Sequence, residues 1–185
     1  MYSPDAALIT RDPAIPGMAV LLDGVAFTAA LRNALPNAGI LAAQPRYIRY
    51  KPGANCTVAY TLATIAGDLP VYARAYAAPL RDKLDHARRL AERPGPLGPA
   101  ACVLAPLDSA LYSWPHDHEL PALRRIADAR KRRNLLAAVA PEYPALHNAT
   151  LQTLRYKPER RFVGLLKAPT GARAILRLSA PDEYA

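Results

Sequence analysis

The sequence predicts an α+β protein with two tandem three-stranded antiparallel meander units and helices packed on them. The first indication is a repeated phrase, since Arg49-Tyr50-Lys51-Pro52 returns 106 residues later as Arg155-Tyr156-Lys157-Pro158. The second is that each copy leads into an apolar strand-like run, a glycine-containing break and another strand-like run. A period this long is not that of a solenoid, whose repeats are about 20–50 residues. We therefore interpret the repeat as a duplicated β-meander.

The first half of the chain contains a lead-in, a helix and the first meander. Residues 1–22 are interrupted by prolines and are predicted to be irregular. Asp23 is a favourable N-cap for a helix that continues to about Leu35, where a Pro-Asn-Ala-Gly sequence would end it. The predicted strands of the first meander are 46–50, 56–62 and 71–76. Three strands are about the minimum for a stable sheet, so we expect a covering helix.

The second half repeats the meander after a helical region. The predicted elements between the two meanders are a helix over 80–93, strands over 101–107 and 111–114, and a long helix over 120–139. The second meander is predicted to occupy Leu151 to Ser179. Pro181–Ala185 is interpreted as the start of a further helix, so we expect this chain to be a fragment.

The positive charge of the chain is concentrated in one segment. The 185 residues carry a formal net charge of +9, and six of the cations lie in residues 124–133. A solvated helix face is the first interpretation of such a run, and attraction of phosphate by a nucleotide-binding protein is the second. Nucleic-acid binding is not favoured, because no recognisable nucleic-acid-binding motif accompanies the charge.

The cysteines, apolar runs and histidines indicate the cellular compartment and argue against a membrane span and a metal site. Cys56 and Cys102 are too few for a disulfide framework, which favours a reducing cytoplasm. The best apolar run, Met18 to Leu22, is followed at once by an aspartate, so no membrane-spanning helix is expected. His116 and His118 have no third ligand nearby in the sequence, so no metal site is expected.

Three segments carry a likeness to a known family, namely Arg49–Tyr76, Trp114–Arg124 and Leu154–Arg161. The third, with the sequence Leu-Arg-Tyr-Lys-Pro-Glu-Arg-Arg, is the most specific of them. Together they resemble the N-terminal half of bacterial phosphotransferases related to aminoglycoside phosphotransferases and choline kinases, in members with an extra domain before the kinase-like part. The resemblance implies a protein-kinase-like fold, in which a small sheet-rich lobe clamps ATP against a larger helical lobe.

The resemblance implies that the nucleotide contacts lie in the second copy. The loop Lys157-Pro158-Glu159-Arg160-Arg161 would replace the Gly-rich loop over the phosphates. Cationic side chains and backbone N–H groups at a tight turn both favour phosphate oxygens. Arg177 stands where the third strand of such a lobe normally holds a lysine that contacts the α- and β-phosphates. The implied contacts for ATP with magnesium are Lys157, Arg160, Arg161 and Arg177, and a basic solvent-exposed hairpin turn is the alternative. Arg74, the matching residue of the first copy, is interpreted as a relic of duplication.

The catalytic half of such an enzyme is not found in this sequence. These kinases need a catalytic aspartate in an H-x-D loop and a second aspartate that holds magnesium. In the resembling family both follow the third strand, whereas His116-Asp117-His118 precedes the second meander. Asp117 is therefore interpreted as a loop or helix-capping acid, and no catalytic residue is assigned.

The sequence thus predicts an accessory small-lobe-like domain over 1–145 and the start of a kinase-like small lobe over 146–185. The expected function is the nucleotide-binding portion of an ATP-dependent small-molecule phosphotransferase, not catalytically competent as this chain. Its partners would be a nucleotide and either the missing C-terminal lobe or a partner protein. The alternative is a stand-alone, non-enzymatic binding or adaptor module with the same small-lobe architecture.

Overall fold

Antiparallel sheets with helices packed on them make up residues 3–181, which the computed structural model describes. This confirms the predicted α+β class. The chain divides into two compact units, Met1–Trp114 and Pro115–Ala185. The predicted boundary at 145/146 lies inside the second unit, because the helix before it packs on the second sheet through Leu136 and Leu166. The helix predicted to begin at 181 falls mainly on 182–185, outside the described residues.

The first unit contains a five-stranded sheet. Its helices are α1 (Ser3–Arg11), α2 (Met18–Leu21), α3 (Gly24–Ala34) and α4 (Leu84–Ala91), and its strands are β1 (Ile40–Lys51), β2 (Asn55–Thr64), β3 (Gly67–Tyr76), β4 (Pro94–Gly95), β5 (Gly98–Pro99), β6 (Ala101–Leu104) and β7 (Ser109–Ser113). The order in the main sheet is β1-β2-β3-β7-β6, and β4 pairs only with β5. The predicted three-stranded meander is therefore extended, because β7 returns antiparallel alongside β3 and β6 pairs with β7.

Helices cover both faces of this sheet. On one face Phe27 of α3 stacks on Tyr60 of β2, with ring centroids 4.3 Å apart. On the other face α4 packs with its three buried residues, Leu84, Ala87 and Leu90. Tyr72 and Tyr112 stack beneath it on adjacent strands, with centroids 4.8 Å apart. The covering helix that three strands led us to expect is therefore present.

Two of the helix predictions are wrong in an informative way. The segment predicted to be irregular contains α1 and α2 within its described residues, and Met18 and Leu21 are fully buried. The predicted long helix over 120–139 is two helices, because Asp128 is extended (φ −77°, ψ 123°) and caps the second one by accepting from the Lys131 N–H at 2.8 Å. By contrast, the predicted cap of α3 is confirmed, since the Asp23 carboxylate accepts from the N–H groups of the next turn.

The second unit contains a three-stranded sheet and three helices. Its helices are α5 (Leu123–Ala127), α6 (Ala129–Val139) and α7 (Pro144–His147), and its strands are β8 (Thr150–Lys157), β9 (Arg161–Lys167) and β10 (Arg173–Ser179). The strand order is β10-β9-β8. The face that packs on α6 and α7 brings Leu166 into a cluster with Leu136 and Leu146.

The longest helices within residues 3–181, α3 and α6, have 11 residues each. Such a helix is about 16 Å long, whereas the hydrocarbon core of a bilayer is about 30 Å thick. No helix of the described part of the chain can therefore span a membrane.

Candidate phosphate-binding face

The register of the second sheet places cationic residues on one face. Residues directly opposite each other on adjacent strands point to the same side of a sheet, and successive residues alternate. Val163 of β9 is opposite both Arg155 of β8 and Arg177 of β10. Because neighbouring strands lie about 4.8 Å apart, Arg155 and Arg177 flank Val163 with backbones about 10 Å apart.

Four rows of paired residues form this face, which we call the basic sheet face. From the β8–β9 turn outward, the rows are Lys157–Arg161–Ser179, Arg155–Val163–Arg177, Gln152–Leu165–Ile175 and Thr150–Lys167–Arg173. Among these paired residues six are cationic and none is acidic. The two rows nearest the turn carry four of the cations. The third row, which we call the apolar row for its residues Leu165 and Ile175 beside Gln152, separates them from the other two.

The basic sheet face is open at its edges. Arg155, Lys167, Arg173 and Arg177 are exposed, and Lys157 and Arg161 are half-buried. Ile175, in the apolar row, keeps 59% of its surface exposed. Like charges on adjacent strands repel each other, so an anion bound here would relieve repulsion as well as gain direct contacts.

The sequence-predicted residues are only partly brought together. Lys157, Arg161 and Arg177 share the basic sheet face, as their register requires. Arg160 lies instead in the turn between β8 and β9, where its N–H donates to the Lys157 carbonyl at 3.1 Å and its own carbonyl accepts from Ala180 at 2.7 Å. Arg160 is thus next to Lys157 and Arg161 but belongs to the turn and not to a strand row.

The backbone N–H groups of residues 158–160 are not available to bind a phosphate, so only side chains of this turn could contact one. Pro158 has no N–H, the Glu159 N–H donates to Asp117 at 2.8 Å, and the Arg160 N–H donates within the turn. Pro158 precedes a residue with positive φ, Glu159 at 58°, which is the pattern of a type II turn. This corrects the expectation that backbone N–H groups here would bind phosphate oxygens.

Asp117 holds the turn from behind. Its Oδ1 accepts from the Glu119 and Leu120 N–H groups at 2.9 and 3.0 Å, as the predicted loop-capping acid would. Its Oδ2 accepts from the Tyr156 hydroxyl at 2.6 Å and the Glu159 N–H at 2.8 Å. Burial raises the pKa of Asp117, and these donors oppose the shift. We call Asp117, Tyr156 and Glu159 the second-unit clamp.

The first unit contains the same arrangement. Asp12 Oδ2 accepts from the Tyr50 hydroxyl at 2.8 Å and from the Gly53 N–H at 2.7 Å. Gly53 also has a positive φ, 64°, and it follows the proline of the first Arg-Tyr-Lys-Pro copy. These two donors hold the pKa of Asp12 below its usual value. We call Asp12, Tyr50 and Gly53 the first-unit clamp.

The corresponding face of the first sheet is filled. Arg74, opposite Thr57 as Arg177 is opposite Val163, donates from Nε to the Thr57 Oγ1 at 2.9 Å. Its guanidinium also lies 5.7 Å from the centre of the Tyr76 ring. Since α4 packs on the neighbouring tyrosines, this face has little room for a ligand. The face around Arg74 in the first sheet is therefore covered, whereas the corresponding face around Arg177 in the second sheet is exposed.

Sequence reasoning missed Arg155 as a candidate and missed the link from Asp117 to the turn. The alternation of Arg155 and Lys157 along one strand was a usable signal, because both must point the same way. No comparable signal marked Asp117, whose Oδ2 partners lie 39 and 42 residues further along the chain.

Among residues 3–181, no group of three or more histidine, cysteine, aspartate or glutamate side chains is placed to hold a metal ion. The comparisons with known proteins add no family. No family model matches the chain, and neither the curated proteins nor the solved structures include a significant match.

Proposed function

We propose that the second unit binds the polyphosphate of ATP on the basic sheet face, as the nucleotide-binding portion of an ATP-dependent small-molecule phosphotransferase. The observation that carries the proposal is the convergence of Lys157, Arg161 and Arg177 on one open face. Two of these residues flank the turn, and the third comes from the far strand. Arg155 adds a fourth cation that the sequence argument did not use.

The chemistry of the face suits phosphate better than carboxylate-rich or apolar ligands. Arginine binds phosphate oxygens through two parallel hydrogen bonds, and lysine contributes a compact positive charge. Because the paired residues include no acid, they offer magnesium no carboxylate. Magnesium keeps several of its waters and binds readily through substrate phosphates, so it would arrive with the nucleotide.

The order of the rows supports a nucleotide rather than free phosphate. The cations of the first two rows adjoin an apolar row that contains Leu165 and the exposed Ile175. Phosphates on the cations would place a nucleoside over or beside this apolar row. An apolar surface with a few convergent polar groups is the usual composition of a small-molecule site.

Calorimetric titration of the whole chain with Mg-ATP tests the proposal. Lys157→Ala and Arg177→Ala should each weaken binding about tenfold, which corresponds to about 1.4 kcal/mol. The matched controls are Lys51→Ala and Arg74→Ala, which change the corresponding positions of the first unit and should leave the Kd within about twofold. Equal effects of all four variants would point to non-specific charge attraction and overturn the proposal.

A second function is favoured by a different observation. Leu154, at the bulge of β8, and Ile175, on β10, keep 50% and 59% of their surfaces exposed. Both lie on outer strands of the three-stranded sheet, whose free edges could pair with another chain. An adaptor of this kind would show no Mg-ATP binding and a defined heteromeric complex that Leu154→Lys and Ile175→Lys both disrupt. Disruption by neither variant would exclude this surface.

A further inference from the structure

We propose that Asp117 is a positioning residue for polyphosphate binding, because it fixes the turn on whose flanks Lys157 and Arg161 stand. The inference rests on the proposed function of the basic sheet face. It assigns a ligand-binding consequence to a carboxylate that contacts the turn through Tyr156 and Glu159 and would not itself contact the ligand.

Both oxygens of Asp117 are committed, so the carboxylate cannot rotate without losing hydrogen bonds. Two N–H groups of its own loop hold Oδ1, and this fixes the direction in which Oδ2 points. The Tyr156 hydroxyl and the Glu159 N–H then tie the turn to that oxygen. Asp117 is 6% exposed, so water competes little for these bonds.

The hydrogen bonds of Asp117 restrain a turn that is flanked by two cations, Lys157 and Arg161. Lys157 and Arg161 are directly opposite each other at the end of the β8–β9 ladder. Like charges directly opposite each other in a sheet are destabilising. Tyr156 precedes Lys157 at the end of β8, and Glu159 lies in the turn midway between Lys157 and Arg161, so the clamp fixes the end of β8 and the turn that leads to Arg161.

The first unit has an equivalent clamp, but its turn is not flanked by two like charges. The pair that corresponds to Lys157 and Arg161 is Lys51 and Asn55, which carries one charge and no repulsion. The first-unit clamp is therefore a stability device alone. In the second unit the restraint also holds two cations in register before the ligand arrives, and such preorganisation lowers the entropy lost on binding.

Parallel measurements on Asp117→Asn and Asp12→Asn in the whole chain test the proposal. Each variant keeps the size of the side chain but replaces one acceptor oxygen with an NH₂ donor. The measurements are the Kd for inorganic tripolyphosphate, by calorimetry, and amide hydrogen exchange at Glu159 and Gly53, by NMR. In Asp117→Asn we expect exchange at Glu159 to be about tenfold faster and tripolyphosphate binding about fivefold weaker. In Asp12→Asn only the Gly53 exchange should rise, with the Kd within about twofold.

The outcomes separate this inference from the function on which it rests. Faster exchange at Glu159 with an unchanged Kd would overturn the positioning role while leaving the basic sheet face as a binding site. Absence of tripolyphosphate and Mg-ATP binding by the unmodified chain would overturn the proposed function and the inference together. Should Asp117→Asn fail to fold, Tyr156→Phe removes a single donor and should weaken tripolyphosphate binding about threefold. An unchanged Kd in Tyr156→Phe would then decide against the proposal.

Discussion

Gly53 and Glu159 hold the same place in two turns, and each donates its N–H to an aspartate Oδ2 from a backbone with positive φ. The φ angles are 64° and 58°. Glycine adopts this conformation freely, whereas a residue with a Cβ pays about 1–2 kcal/mol for it. The second unit therefore tolerates local strain that the first unit avoids, at the point where its clamp meets the turn.

We expect Gly53→Ala to destabilise the first unit by about 1 kcal/mol. A Cβ at this position meets nothing within 4 Å, so the cost is conformational and not steric. Gly53→Asn is the matched control, because asparagine adopts positive φ more readily and should cost less. Urea unfolding followed by the fluorescence of Trp114 measures both variants. Equal losses for alanine and asparagine would show that the backbone angle is not the cause.

The hydrogen bond between Tyr50 and Asp12 should contribute measurably to the stability of the first unit. Hydrogen bonds to charged groups are stronger than those between neutral groups, so Tyr50→Phe should measurably lower the free energy of unfolding. A double-mutant cycle with Asp12→Asn isolates the pair, since the second change should cost less once the first is made. Strict additivity of the two losses would mean that the pair does not interact in solution.

The two clamp aspartates should give the protein opposite pH dependences. The pKa of Asp12 is lowered from 3.8 by Gly53 and Tyr50, so its stabilising contribution is present above pH 3.8 and disappears as the pH falls through the folded pKa. The pKa of Asp117 is raised from 3.8 by burial, so its contribution is full below pH 3.8 and decreases as the pH rises through the folded pKa.

Amide exchange in β2 and β9, followed across this pH range, checks the signs. Relative to the unmodified chain, Asp12→Asn should flatten the loss of β2 protection below pH 3.8. Asp117→Asn should flatten the loss of β9 protection above pH 3.8. The hydrogen bonds lost by each substitution shift the whole curve, so the shape of the curve and not its height is diagnostic. Parallel curves for variant and parent would contradict both assignments.

Local signals in the sequence were sufficient for some elements of this fold and insufficient for others. Asp23 caps α3 as predicted, because an N-cap acts on N–H groups two and three residues ahead. Asp128 uses the same chemistry, but the apolar pattern runs through it, and this concealed the break between α5 and α6. The prolines of the first 22 residues also concealed α2, which is stabilised by burial of Met18 and Leu21 more than by local preference.

The candidate site depended on information that the sequence held only in part. The repeated Arg-Tyr-Lys-Pro phrase marked both turns, and strand alternation put Arg155 and Lys157 on one side. Arg177 joins them only through the register of β10 on β9, which no local pattern specifies. The two clamps depend on contacts 38 to 42 residues apart in the chain, and a carboxylate in a loop shows no such partner in advance.

Arg132 departs from the rest of the basic segment, which the sequence analysis interpreted as a solvated face. It is 9% exposed, and its guanidinium donates to the Ile126 carbonyl at 2.7 Å and to the Ala149 carbonyl at 3.2 Å. Arg132→Leu should destabilise the second unit by about 2–3 kcal/mol, since these carbonyls lose a charged donor. The matched control is Arg133→Leu, at an exposed position on the same helix, and it should change stability by less than about 0.5 kcal/mol. Amide exchange in β9 measures both variants, and equal losses would refute the structural role of Arg132.

Arg155 provides a test of the basic sheet face that is independent of the family resemblance. It flanks Val163 opposite Arg177, so the two guanidinium groups have equivalent access to an anion over the second row. Arg155→Ala should therefore weaken Mg-ATP binding about as much as Arg177→Ala, by about tenfold. Arg49→Ala changes the corresponding residue of the first Arg-Tyr-Lys-Pro copy and serves as the control. If Arg177→Ala weakens binding while Arg155→Ala and Arg49→Ala do not, the ligand contacts β10 and not β8, which contradicts binding across the basic sheet face. Loss of binding in both Arg155→Ala and Arg177→Ala, with Arg49→Ala unchanged, requires a ligand that spans the three strands.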